Sequence, residues 1–275
     1  MRIGFIGAGN MGGAIIKGYI ASGAMTAGEP DAIFMYDSDA EKAAALAALG
    51  LPVSIAGSLA ELAGAGEALV LCVKPNVMGD VLDELAELLK ADIDDKLIIS
   101  IAAGISIDFI KGKLGAGTKV VRVMPNTPAM VGEGMSAMSA SEGLSDAYKA
   151  AAEKLFSAVG AAVWIPEEQM DVVTGISGSS PAYAYLYIEG LVRAGVDGGL
   201  TEEAATVMAA QSTLGAAKMV LENLGEVEPR QLCVNVCSPG GTTIEAIKAL
   251  EAADFTETVK KAAQASAVKS KLMTK

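Results

Sequence analysis

Ile3-Gly4-Phe5-Ile6 runs directly into Gly7-Ala8-Gly9-Asn10-Met11-Gly12, and a helical pattern from Met11 to Ala21 follows. A short buried strand, a glycine turn and a helix in that order give each glycine a task. The first makes the tight turn, the second lets a pyrophosphate approach the backbone, and the third lets helix and strand pack closely. The anion would rest on the free N–H groups at the helix start. A bare G-x-G-x-x-G is weak evidence of a dinucleotide site; here its setting between strand and helix strengthens it.

The pattern continues outward from this unit. Strand-like runs recur at Ile33–Tyr36, Leu69–Val73, Leu97–Ile101, Val120–Val123 and Ala162–Ile165. Helical patterns lie between them at Ala40–Leu49, Val77–Leu89, Ile107–Leu114 and Ser145–Val159. Such alternation predicts an α/β fold built on a doubly wound parallel sheet of Rossmann type. It stops after Pro166, and from Glu167 to Lys275 nearly everything reads as helix, broken at glycine-rich points. We therefore expect a dinucleotide-binding domain over residues 1–166 and an all-α domain over 167–275. The second is apolar enough to bury a face against another subunit.

Composition narrows the function. With 33 acidic and 21 basic residues the net charge is −12, which speaks against nucleic acid or an anionic membrane as partner. Apolar runs such as Ala68–Val73 are far too short to span a bilayer. The three cysteines, Cys72, Cys233 and Cys237, are odd in number and form no C-x-x-C pair, which points to reduced thiols and a cytoplasmic location. Cys233 and Cys237 read either as a redox-sensitive pair or as small core residues one helical turn apart. The chain contains no histidine, so histidine-dependent zinc sites, Ser-His-Asp triads and histidine-based dehydrogenases are excluded.

Asp37 ends the second strand, twenty-five residues after Gly12, where a carboxylate would read the adenosine ribose. A carboxylate there accepts from a 2′-hydroxyl and repels a 2′-phosphate, so the cofactor can be NADH or NADPH with a lean toward NADH. Alternatively Asp37 only caps the next helix, a task Ser38 or Asp39 could perform equally well. Val73-Lys74-Pro75 and Ala102-Ala103 fall at the carboxyl edge of the sheet, where a cofactor crosses it. Lys74 is either a solvated loop lysine or a cation for a phosphate or carboxylate. Met124-Pro125-Asn126-Thr127-Pro128 is a stiff loop that displays Asn126, suitable for a nicotinamide amide.

A second glycine turn, Ser238-Pro239-Gly240-Gly241-Thr242-Thr243, delivers the chain into a helix. Thr242 stands three residues before Glu245, the capping-box spacing. Free N–H groups beside the hydroxyls of Ser238, Thr242 and Thr243 would suit a small carboxylate; the plainer reading is a helix cap.

Carbonyl reduction needs a proton donor, and the inventory supplies none of the usual ones. None of the six tyrosines is followed by lysine four residues on. The glycine-rich opening also resembles β-hydroxyacid dehydrogenases, but their K-x-x-x-N is matched only by Lys218 and Asn223, one residue too far apart. A cyclic imine asks for less, because its nitrogen is basic enough to arrive protonated and primed for hydride.

Gly7–Gly12, Val73–Pro75, Met124–Pro128, Gly175–Tyr183 and Ser238–Ala246 together closely resemble pyrroline-5-carboxylate reductases, over essentially the whole chain. The resemblance implies reduction of 1-pyrroline-5-carboxylate to L-proline by NADPH or NADH. It implies a Rossmann domain followed by helices that interlock in a homodimer, which can build a decamer. Ser238 and Thr243 would bind the substrate carboxylate through hydroxyls, and Gly241 and Thr242 through backbone N–H groups. Glu226, twelve residues before Ser238, would approach the ring nitrogen from a neighbouring subunit. Thr174 would lie beside that nitrogen, orienting it or relaying its proton.

On the cofactor side the resemblance assigns Ile6, Gly7, Ala8, Gly9, Asn10 and Met11 to the pyrophosphate, with Gly12 completing the cofactor-binding loop. Asp37, Ser38 and Ser58 fall at the adenosine half, and Val73, Lys74, Pro75, Ala102, Ala103 and Asn126 at the nicotinamide half. Ser180 replaces a glycine of many members. Asp37 replaces the small or basic residues that favour NADPH. Two rivals remain, a β-hydroxyacid dehydrogenase or other imine reductase of the same plan, and a non-catalytic dinucleotide sensor.

Overall fold

The computed structural model describes residues 1–23, 33–90 and 92–275. Two compact units result: Met1–Ser179 together with Ala265–Lys275, and Ser180–Gln264.

In the first unit β1 (Ile3–Ile6), α1 (Asn10–Ala21), β2 (Ile33–Tyr36), α2 (Ala40–Ala47), β3 (Val53–Ile55) and α3 (Leu59–Ala65) come first. They are followed by β4 (Ala68–Leu71), α4 (Met78–Leu89), β5 (Leu97–Ser100), α5 (Ile107–Leu114) and β6 (Lys119–Met124). Then come β7 (Gly134–Ala140), α6 (Asp146–Ser157), β8 (Gly160–Trp164) and the short α7 (Met170–Val173). The eight strands form one sheet in the order β3-β2-β1-β4-β5-β6-β7-β8. All pairings are parallel except β6 with β7. Strand order reverses between β1 and its neighbours β2 and β4, and a dinucleotide binds outside the carboxyl ends at such a point.

β1, β4 and β5 are buried along their whole length, as parallel strands covered on both faces must be. One apolar layer joins α1, α2 and α6 to the sheet around Phe5, Ile15, Ile16 and Phe156. The other joins α3, α4 and α5 around Leu62, Leu82, Leu85 and Ile110. Packing on both faces fixes the sheet's carboxyl edge as a rigid platform.

The expected boundary after residue 166 differs from this division. Glu167 Oε1 accepts from Arg122 Nη1 at 2.9 Å and from the Ile107 N–H at 2.8 Å. Ser179 and Ser266 share a hydrogen bond of 2.8 Å, and the Lys275 N–H donates to Gly104 C=O at 2.8 Å. Residues 167–179 and 265–275 are thus tied to the sheet.

The second unit contains α8 (Ser180–Asp197), α9 (Glu202–Glu222), α10 (Pro229–Val236), α11 (Thr242–Ala252) and the start of α12 (Phe255–Met273). Gly195 brings α8 against α9; a Cβ there would stand 2.9 Å from Ala205 Cβ. Only Ala205 and Ala209 are buried apolar residues in this unit, whereas Leu186, Leu221 and Leu224 are at least two-thirds exposed. Cys233 and Cys237 are only half-buried, so the expectation of two core residues is not met.

Candidate active site

The glycine loop leaves β1 and enters α1 at the sheet's switch point. Gly7 has φ +104°, and a Cβ there would stand 2.9 Å from the Cys72 carbonyl oxygen, so no other residue fits without movement. A Cβ on Gly12 would stand 2.5 Å from Gly7 O and 3.3 Å from Cys72 Sγ, which is the close packing expected of the third glycine. At Gly9 a Cβ would meet no protein atom within 4 Å. Gly9 is also the N-cap of α1 and makes no side-chain cap. The space above the helix start is therefore open, and the chain fits a pyrophosphate there.

Not every loop amide is free to serve it. Gly7 N–H donates to Tyr36 C=O, Ala8 N–H donates to Asp37 Oδ2, each at 2.8 Å, and Ile6 is buried with its C=O accepting from Cys72 N–H. The N–H groups of the N-cap Gly9 and of Asn10, Met11 and Gly12, the first residues of α1, meet no acceptor among the described residues and are left for a ligand.

Asp37 does not cap α2. Asp39 does, accepting from the Glu41 N–H at 3.2 Å, while Asp37 Oδ1 accepts from the Asp39 N–H at 2.9 Å. Ser38 is exposed beside them. A pocket of about 460 Å³ adjoins the loop, lined in part by Gly9, Asn10, Lys17, Lys42, Leu49 and Met130. Lys42 Nζ lies 3.2 Å from Asp39 Oδ2. That hydrogen bond holds the Asp39 carboxyl below its usual range and raises the Lys42 ammonium above its own, with Asp37 adding to the effect on Lys42. Sequence reading passed over both lysines. Lys17 lies seven residues after Asn10, on the same helix face, and Lys42 is the third residue of α2.

Ser58 caps α3, accepting from the Glu61 N–H at 3.1 Å, and Glu61 Oε2 in turn accepts from the Gly57 N–H at 2.7 Å. This reciprocal pair is a structural task that the adenosine expectation omitted. Val73, Lys74 and Pro75 follow β4, with Lys74 exposed; Ala102, which is buried, and Ala103, which is exposed, follow β5. Asn126 is buried. Its Oδ1 accepts from Met135 N–H at 2.8 Å and its Nδ2 donates to Ser177 C=O at 3.0 Å. The side chain expected to hold an amide is thus already engaged on both ends.

Asn126 instead clamps the segment that carries Thr174. Thr174–Gly178 forms a π-helical turn in which Ser179 N–H reaches back to Thr174 C=O at 2.8 Å. Such widened turns are frequent at functional sites. Gly178 passes over Met124, where a Cβ would stand 2.8 Å from Met124 Cε.

The other candidates belong to the helical unit. Ser238 C=O accepts from Gly241 N–H at 2.9 Å, and Gly240 has φ +70°, closing a tight turn into α11. The expected capping box is absent: Gly241 is the N-cap, no side chain caps the helix, and Glu245 pairs with Lys248 at 2.7 Å. Thr242 is therefore already helical. The correction favours a ligand site, because the hydroxyls of Ser238, Thr242 and Thr243 make no hydrogen bond to protein among the described residues, and the N–H groups of Thr242 and Thr243 stay open. The Gly241 N–H, expected to serve a carboxylate, is instead given to Ser238 C=O. A Cβ on Gly241 would come within 2.3 Å of Ser238 Oγ, so glycine here keeps room for that hydroxyl. Glu226 is exposed after the turn at Gly225, which has φ +81°. Among the described residues no cluster of His, Cys, Asp or Glu could hold a metal ion, and no helix is long and apolar enough to cross a membrane.

Comparison with known proteins agrees with this arrangement. Residues 167–273 match the family described as pyrroline-5-carboxylate reductase dimerisation, and residues 2–104 the family described as NADP oxidoreductase, coenzyme F420-dependent. The chain is 42% identical to pyrroline-5-carboxylate reductase of Escherichia coli K12, over 92% of this chain and 91% of that protein. Among solved structures, a pyrroline-5-carboxylate reductase from Coxiella burnetii superposes with a TM-score of 0.90 at 36% identity, covering 100% and 98% of the two chains. The Plasmodium falciparum pyrroline carboxylate reductase with NADP bound gives 0.85 at 33% identity, again covering 100% and 98%. With relatives this similar along its whole length, the chain belongs to the pyrroline-5-carboxylate reductase family.

Proposed function

We propose that the chain reduces 1-pyrroline-5-carboxylate to L-proline, with the glycine loop, the Thr174 turn and the Ser238–Thr243 turn as its working parts. Bound NAD(P)H supplies the hydride; everything else falls to the chain. Gly9, Asn10 and Met11 hold the pyrophosphate with their N–H groups. Asp37 and Ser38 face the adenosine ribose, Ser58 lies toward the adenosine, and Val73–Pro75 with Ala102-Ala103 border the nicotinamide half. Ser238, Thr242 and Thr243 grip the substrate carboxylate, with Gly241 leaving room for the Ser238 hydroxyl, and Glu226 and Thr174 approach the ring nitrogen.

The observation that carries this reading is the uncapped start of α11, with three hydroxyls and open N–H groups that meet no partner among the described residues. A helix start so arranged is a carboxylate site, and it fixes one end of a small ring while the other end is reduced. A histidine-free site is adequate, because an iminium needs no acid to activate it.

The family match over the helical segment is one of dimerisation, and the chain oligomerises. The exposed leucines of α8 and α9 support a homodimer through these helices, with a decamer as the further assembly. We place the protein in the cytoplasm.

The test is to follow oxidation of NADH and NADPH with pyrroline-5-carboxylate, and with panels of hydroxy and keto acids. Oxidation of either cofactor by pyrroline-5-carboxylate alone is expected. No turnover of it by either cofactor would overturn the assignment.

A further inference from the structure

We propose that Ser270 and Asp171 are positioning residues that fix the Thr174 hydroxyl as a hydrogen-bond acceptor toward the substrate's ring nitrogen. This rests on the reading above that Thr174 faces that nitrogen. It adds the direction of the hydrogen bond and the residues that set it.

The three side chains meet inside the sheet-containing unit. Ser270, on the last turns of α12, is buried, and its Oγ lies 2.7 Å from Asp171 Oδ1 and 3.3 Å from Thr174 Oγ1. Thr274 Oγ1 also lies within 3.3 Å of Asp171 Oδ1. Thr174 Oγ1 is 3.1 Å from the Met170 carbonyl oxygen. No Lys or Arg bonds to this group among the described residues, so Asp171 is served by hydroxyls.

Counting protons settles the direction. An ionised carboxylate only accepts, and each hydroxyl has a single proton. Ser270 gives its proton to Asp171, the shorter and charge-assisted of its two contacts. Its oxygen then faces Thr174 as an acceptor. The Met170 carbonyl is an acceptor as well. Both protein neighbours of Thr174 Oγ1 therefore draw on its one proton, and the proton is turned into the protein whichever neighbour holds it. What remains for a ligand is a lone pair on a half-buried oxygen.

The consequence is chemical. A threonine so held accepts from an N–H but cannot protonate a bare imine. The ring nitrogen must arrive as iminium, carrying its proton from solution. As the imine carbon is reduced, the C=N π pair moves onto nitrogen, which keeps that proton, and Thr174 neither gains nor loses one. Its task is to hold the N–H in line, so that the imine carbon is presented in a single orientation.

The test compares two ligands with the same carboxylate, with oxidised cofactor present. L-Proline offers ring N–H donors; tetrahydrofuran-2-carboxylate offers a ring oxygen that only accepts. Thr174→Val is expected to weaken L-proline about tenfold and leave the oxygen analogue within twofold, the size of one lost hydrogen bond to a charged group. Thr174→Ser should retain the preference. Ser270→Ala should reduce it about threefold and lower kcat with little change in KM for cofactor, and Ser270→Thr should restore both. If Thr174→Val weakens the oxygen analogue more than L-proline, the threonine is a donor and the proposal is overturned. Equal weakening, or a Ser270→Ala protein identical to the unmutated one, overturns it too. These results presuppose turnover by the unmutated protein; its absence would sink the proposed function itself.

Discussion

Asp37 Oδ2 accepts the Ala8 N–H at 2.8 Å, binding the end of β2 to the glycine loop across the sheet edge. The carboxylate therefore does two things at once. It shapes the glycine loop and, on the proposed reading of the cofactor site, it places negative charge where a 2′-phosphate would lie. Lys42 partly offsets that charge, Asp37 helping to raise its ammonium above the ordinary range.

Replacing Asp37 separates these effects. Asp37→Ser removes the acceptor for Ala8 and the charge together. Loss of a hydrogen bond to a charged group costs about 1.5–3 kcal/mol. We expect kcat/KM with NADH to fall about tenfold or more, and the NADPH-to-NADH ratio of kcat/KM to rise several-fold as repulsion is relieved. Steady-state kinetics with both cofactors decides. If both fall together at a constant ratio, Asp37 only braces the loop.

The glycines of the loop make a sharper contrast. A methyl group on Gly12 would strike the Gly7 carbonyl, whereas one on Gly9 meets no protein. Gly9 has φ −68°, which alanine also adopts. Gly12→Ala should therefore lower Tm and cofactor affinity together. Gly9→Ala should leave Tm within about 2 °C, since surface changes away from special features stay near 0.5 kcal/mol. Its cofactor KM should nonetheless rise at least tenfold. An unchanged KM in Gly9→Ala would show that no pyrophosphate rests there.

These features differ in how far the sequence disclosed them. Ile3–Ile6 and Leu97–Ser100 were legible because strands buried on both faces are continuously apolar. β7, Gly134–Ala140, was not: its Ser136 and Ser139 are buried and it holds no β-branched residue, so neither alternation nor propensity marks it. β3 has three residues, none of them buried, and sits at the sheet edge. At the substrate turn the S/T-x-x-E spacing suggested Thr242 as the cap. The chain enters the helix one residue earlier, with Gly241 as N-cap at a position where a Cβ would strike Ser238 Oγ. That Asp37 and Asn126 brace the structure depends on partners distant in sequence, which no local pattern reports, whereas the cap made by Ser58 was legible in its S-x-x-E spacing to Glu61.

At the substrate turn, function and stability should come apart. The Thr243 hydroxyl has no protein partner among the described residues, so Thr243→Val should change unfolding free energy by no more than about 0.5 kcal/mol. KM for pyrroline-5-carboxylate should rise about tenfold while KM for cofactor stays put. Gly241→Ala should act likewise by displacing the Ser238 hydroxyl. Equal rises in both KM values would remove Thr243 from the carboxylate site.

Cys72 gives a pH-dependent prediction. Its sulfur lies beneath the start of α1, and burial pushes the thiol well above its ordinary range. In the unfolded chain the same thiol ionises near pH 8.5. Above that pH the folded state holds one more proton than the unfolded state, so its stability falls as pH rises toward the folded value. Cys72→Ala removes this term and leaves the other titrations in place. Urea unfolding of both proteins at pH 8 and pH 10 should show the unmutated protein losing about 2 kcal/mol more than the variant over that interval, at about 1.4 kcal/mol per pH unit once the unfolded thiol is ionised. Parallel losses in the two proteins would mean that Cys72 ionises as readily in the folded state as in the unfolded one.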